Sequence, residues 1–214
     1  MTELNNRASS PVPKGRHTVR RKTFDLLVST GGLVIAAVLL VAGGLLMWGY
    51  SFANSQVHDQ LVAQKIVFPT KSNPEFKALP AADQAAMGAY AGQTLTTGAQ
   101  AKTYGDHFIA VHLNEMAKGQ TYSQLSGKAL AQPKNTALAE LVQTVFRGTT
   151  LRSMLLEAYG FWQMGEIALW GAIASFSGAG LLLILSIAGL IHGRRVSAES
   201  EVFSKTAQTH PATA

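Results

Sequence analysis

Apolar positions follow two patterns along this chain. From Leu26 to Met47 and from Ile167 to Ile191 they run almost without interruption, and the residues among them are mostly Gly, Ala, Ser and Thr. No Asp, Glu, Lys, Arg or His lies between Asp25 and His58, and none lies between Glu166 and His192. Each stretch exceeds the roughly 20 residues that a helix needs to cross about 30 Å of hydrocarbon. Both are predicted to be transmembrane helices. Between them the apolar residues recur in shorter groups at helical spacing, separated by Pro, Gly and Asn. The expected fold class is an all-α membrane protein, with two antiparallel transmembrane helices and a helical extracytoplasmic domain inserted between them.

The first block comes after Arg20, Arg21 and Lys22, as the core of a signal peptide would, and Ser51-Phe52-Ala53 resembles a cleavage step. A signal core is only about 7–15 residues long, so the length of this block favours a retained anchor. Val57, Leu61 and Val62 extend its helix above the membrane. Ile66 to Pro69 then reads as a short extended stretch, because Pro69 biases Phe68 away from helical geometry. Pro80 opens an alanine-rich helix. A further helix is expected from Ala101 to Lys118, with Tyr104, Phe108, Val111 and Glu115 on one side and Ile109, Leu113 and Met116 on another. Gly119 stops it. A short helix is expected over Thr121 to Leu130, and Pro133 interrupts the chain. Asn135 or Thr136 then caps a helix carrying Leu138, Leu141, Val142, Val145 and Phe146. Apart from Gly148 and Gly160, nothing from Thr136 to Ile191 demands a break. The last helix is therefore expected to run from the inserted domain into the membrane. The expected divisions are a structureless basic tail over 1–24, a span over 25–48, the inserted domain over 49–161, a second span over 162–191 continuing a helix that starts near 136, and a structureless tail over 192–214.

Charge gives the expected orientation. The chain carries 18 Lys and Arg against 12 Asp and Glu. Arg7, Lys14, Arg16, Arg20, Arg21 and Lys22 precede the first span, and Arg194, Arg195 and Lys205 come after the second. Residues 49–161 are nearly balanced. Lys and Arg beside a span resist translocation, so both termini are expected in the cytoplasm of a plasma-membrane protein. Trp48 and Tyr50 at the end of the first span, with Trp162 and Trp170 around the start of the second, fit an aromatic belt on the outer side. The basic tails suit anionic headgroups, and they offer no folded basic face for nucleic acid.

The chain has no cysteine, which removes disulfides, thiolate metal sites and cysteine nucleophiles. There is no Gly-x-Ser-x-Gly elbow and no phosphate-binding glycine loop. His107, His112 and Glu115 are the metal-ligand candidates, with His58 as a possible addition. Their spacing is poor, because His107 and His112 stand five apart, about 140° around a helix. Buried hydrogen bonding or solvation explains them more simply, and no cofactor is expected. Arg147 and Arg152 form a polar patch that could take a partner's carboxylate or a headgroup phosphate, unless they are merely solvated or paired near Glu157. In the second span Gly171, Ser175 and Ala179 lie four apart, and such small residues let another helix approach closely. That helix is either the chain's own first span or one from a partner.

Gln64-Lys65-Ile66-Val67-Phe68-Pro69 after the first span, Gly119-Gln120-Thr121-Tyr122 midway, and Thr149-Thr150-Leu151-Arg152-Ser153-Met154-Leu155-Leu156-Glu157-Ala158-Tyr159-Gly160 before the second resemble a group of uncharacterised actinobacterial two-span membrane proteins. Some of that group carry an aromatic-ring-opening dioxygenase label, but no iron-binding triad accompanies these residues here. The resemblance implies residence in an actinobacterial plasma membrane and no established activity. The expected function is that of a non-catalytic accessory or stabilising subunit of a larger plasma-membrane complex, whose partners are the lipid bilayer and other membrane subunits. The alternatives are an extracytoplasmic sensor or carrier of a small ligand or lipid, and a metal-dependent enzyme.

Overall fold

A computed structural model describes residues 21–195 of the protein. Among these residues the chain is all-α: α1 (Arg21–Gln64), α2 (Pro74–Ala78), α3 (Ala81–Gly88), α4 (Gly98–Tyr104), a π-helical turn (Gly105–Ile109), α5 (Ala110–Ala117), α6 (Tyr122–Ala131) and α7 (Thr136–Arg195). Helices α1 and α7 are long and apolar enough to cross a membrane, and the short helices are inserted between them. With 44 and 60 residues, α1 and α7 extend about 66 and 90 Å, far more than the roughly 30 Å of a hydrocarbon core. The expected structureless tails lie outside the described residues except at their inner ends. There residues 21–24 and 192–195 are helical instead, continuing α1 and α7.

The described residues divide into two compact units, 21–40 with 177–195, and Val41–Phe176. In the first, the opening of α1 lies antiparallel to the end of α7. Ser29 fills the place where a side chain on Gly189 would stand, and Ser186 does the same at Gly32. Leu39 closes on Gly178 at 3.4 Å from the position of a Cβ. The buried positions are Ser29 and Ala36 on α1 and Ala179 and Ser186 on α7, seven residues apart within each helix. Large side chains such as Leu27, Val34, Val38, Ile184 and Ile187 point outward. Small inside and large outside is the reverse of a water-soluble helix pair. It fits a lipid solvent, where close backbone packing holds helices together and apolar exposure costs nothing.

In the second unit, α1 and α7 are again antiparallel. Phe176 lies over Gly43, Leu46 over Gly171, and Ala53 against Gly165 at 3.1 Å from the position of a Cβ. Val57 and Leu61 of α1 and Leu155 of α7 then join Phe68, Phe76, Leu79, Met87, Leu95, Ala101 and Ile109 in one core. The short extended stretch expected around Ile66 to Pro69 forms a small antiparallel bridge between Val67 and Thr94. It is framed by the amide of Phe68 donating to Gln93 and that of Leu95 donating to Ile66, both at 2.9 Å. A second cluster, Ala117, Leu125, Val142 and Val145, packs α6 against the first turns of α7.

Helices α2, α4 and α6 are started by side-chain caps. Asn73 accepts from the amide of Glu75 before α2, with Pro74 in the first turn. Capping boxes of Thr97 with Gln100 and of Thr121 with Gln124 begin α4 and α6. Lys118 itself takes left-handed geometry (φ 51°) after α5, and Gly119 next to it has φ 73°. The expected stop at Gly119 is thus a two-residue device.

A polar clamp at the π-helical turn

The turn Gly105–Ile109 sits between α4 and α5, so the expected single helix over this region contains one wider turn closed by the amide of Ala110 on the carbonyl of Gly105. That extra residue rotates α5 about its axis relative to α4. Tyr104, Phe108, Val111 and Leu113 all pack on the core, Ile109 is buried, and Glu115 and Met116 are exposed, which replaces the two sides expected from regular helical spacing. Five rings succeed one another along this edge. Phe68 lies between Tyr90 (5.4 Å) and Tyr104 (5.2 Å), Tyr104 lies 4.9 Å from Phe108, and Phe108 lies 4.4 Å from His112.

Asp106, partly buried in the turn, is held from two directions. Lys102 Nζ lies 2.6 Å from Oδ2, and Arg152 Nη2 of α7 donates to Oδ1 at 2.7 Å. Arg152 Nε donates to the Gly105 carbonyl at 3.2 Å, so one guanidinium grips both the backbone and the side chain of the turn. Partial burial by itself would raise the Asp106 carboxyl, but the hydrogen bonds and charges of Lys102 and Arg152 outweigh it and hold the group below the usual carboxylate range. The same hydrogen bond and charge raise Lys102. Lys102 also stands 5.5 Å from the centre of the Tyr159 ring. Burial, then the charge of Glu75, raise Tyr104.

His107 points to the other side of the turn, where its Nδ1 is 2.7 Å from Asp83 Oδ1 of α3. His112 Nδ1 lies 2.7 Å from the Phe108 carbonyl one turn back. A carbonyl only accepts, so this nitrogen carries a proton. The three metal-ligand candidates are therefore not brought together: His107 faces Asp83, His112 faces its own helix, and Glu115 is exposed. No group of three or more His, Asp or Glu residues converges as a metal site among the described residues. Both oxygens of Asp106 are engaged, which makes the cluster a joint between the inserted helices and α7.

Of the remaining candidates, Arg147 is exposed on α7. Arg152, a candidate for a partner or headgroup contact with solvation or pairing near Glu157 as the alternatives, instead donates to Asp106, 46 residues away in sequence, and to the Gly105 carbonyl. Gly171 lies against Leu46 of the chain's own α1, Ser175 is half-buried, and Ala179 is fully buried. Trp162, expected in the aromatic belt, packs on the core instead, because Gly98 at the start of α4 leaves room for its Cβ and indole. Trp48 and Trp170 remain exposed. Lys102 and Asp83 are not among the residues that the sequence singles out. Lys102 and Asp106 are four apart, a pairing visible in sequence; the contact of Asp83 with His107 has no local signal.

On the other side of α7 a groove of about 490 Å³ opens between α1 and α7. Val57, Leu61 and Leu155 form its buried floor, and Gln56, Gln60, Gln64 and Glu157 line its edges. Phe52 and Phe161 stand at the end nearer the long apolar runs of α1 and α7, and Met154 is its most exposed apolar side chain. No family model, no curated protein and no solved structure matches the chain.

Proposed function

We propose that this protein is a non-catalytic integral membrane protein of the plasma membrane that works by contact, as an accessory or stabilising subunit of a larger complex. Both termini lie in the cytoplasm and the short helices lie on the outer side. The observation that carries this reading is the disposition of polar and apolar groups in the inserted unit. The strongest polar groups, Asp106, Arg152, Lys102 and the Asp83–His107 pair, are spent on holding its own helices together. Large apolar side chains, Phe52, Leu151, Met154 and Phe161, stay exposed on α1 and α7. An apolar surface left open beside a bilayer marks a contact site. The distribution of Lys and Arg supports the orientation.

Purification of the full chain from its native membranes in mild detergent after brief chemical crosslinking tests the reading. Recovery in a discrete complex with one or more other membrane proteins is expected. Recovery as a monomer, with no other protein crosslinked, overturns it.

A further inference from the structure

We infer that the groove between the outer parts of α1 and α7 holds a helix of a second membrane protein, one that leaves the bilayer beside this chain and presents an apolar stripe with a Lys or Arg opposite Glu157. The inference deepens the accessory-subunit reading and rests on it.

Three features of the groove select this occupant. Its shape is that of a seat for a third helix: from Phe52 to Gln64, α1 rises about 18 Å, more than three turns, alongside an antiparallel α7. Its floor is apolar while its edges carry amides and one carboxylate, the arrangement of a protein interface with an apolar centre and a polar rim. A helix laid there buries its apolar face on the exposed Phe52, Leu151, Met154 and Phe161, above a floor already closed by Val57, Leu61 and Leu155, and meets the glutamines with its flanks. An acyl chain in the same place would strip water from Gln56, Gln60, Gln64 and Glu157 without offering any hydrogen bond, which disfavours lipid.

The groove is also continuous with surface that faces the membrane. Phe52 stacks on Trp48 at 5.8 Å, and exposed Met164 lies three residues beyond Phe161 on α7. A helix that fills the groove therefore continues into the bilayer along the same side of the pair. Among the described residues Glu157 is the one acidic side chain lining the groove, so a basic residue on the occupant is the complementary choice. Met154, flexible and 61% exposed, is suited to adapt to an apolar partner surface.

A photoreactive amino acid placed singly at Met154 or Gln60 of the full chain in native membranes tests this, with Leu130 on α6 as the control position. Adducts at both groove positions, and not at Leu130, are expected with one membrane protein. Peptide mapping is expected to place the adduct at the end of a transmembrane helix that carries Lys or Arg, and Glu157→Lys is expected to lower its yield about fivefold or more. Adducts with phospholipid, with a second copy of this chain or with a soluble protein overturn the inference, as does the absence of any adduct. Co-purification is run in parallel on the wild type and on Met154→Glu, an exposed position whose substitution leaves the core intact. A partner retained equally by both, and never captured from the groove, sinks the groove while sparing the accessory-subunit reading. If no partner is retained by either, both fail.

Discussion

Asp106 concentrates the electrostatics of the inserted helices in one residue. Its carboxyl is held below its ordinary value of 3.8, so it contributes stability that is fully present above that pH and is lost as pH falls toward its folded value. Lys102 is held above 10.5, so its contribution is present below that pH and lost as pH rises past it. Asp106→Asn removes both. The variant is expected to be less stable by about 1–2 kcal/mol, a charge-assisted bond discounted for partial exposure. The difference from wild type is expected to be level between about pH 5 and pH 10 and to shrink outside that window, as monitored by thermal unfolding in detergent across pH. A difference that persists unchanged at pH 3 contradicts the assignment. The Lys102–Asp106 spacing is readable in sequence; the grip of Arg152 is not, because nothing local says which of several acids a guanidinium on α7 will meet.

Within the short helices, two glycines show how context decides the effect of one methyl group. A Cβ on Gly98 would collide with the Cβ and indole of Trp162, atoms fixed close to the α7 backbone, whereas a Cβ on Gly127 in α6 meets nothing within 4 Å. Gly98→Ala is expected to cost about 1–3 kcal/mol through overpacking. Gly127→Ala is expected to stabilise by about 0.5–1 kcal/mol through helix propensity. Thermal or denaturant unfolding of the two variants checks the opposite signs. The breaks around these helices at Pro69, Pro80, Gly119 and Pro133 are legible because Pro and Gly act on their own backbone. The capping boxes Thr97-x-x-Gln100 and Thr121-x-x-Gln124 also carry a signature that sequence alone displays. The π-helical turn had no such mark: Gly105–Ile109 contains nothing that forbids an ordinary helix, and the wider turn is fixed by how Asp106 and Gly105 meet Arg152.

At the scale of the whole molecule, the native absence of cysteine makes the orientation directly measurable. A single cysteine at exposed Lys128 is expected to react with a membrane-impermeant maleimide in intact cells, and one at Ser10 only after permeabilisation. The reverse pattern places the inserted helices in the cytoplasm and contradicts the orientation. By itself the sequence determined that two helices are long and apolar enough to cross a membrane, that helical chain lies between them, and that positive charge gathers beyond them. These are sums over neighbouring residues, and apolar length and charge placement need no knowledge of distant contacts. Tertiary structure alone decided which small residues face inward, with Ser29 on Gly189 and Ser186 on Gly32, and which arginine binds the turn. It also decided that, in the second unit, one side of α7 is covered by the inserted helices while another is left as an open apolar groove. The reason is physical: contacts between residues far apart in sequence depend on the rotation of each helix about its axis, and packing across the whole interface sets that rotation.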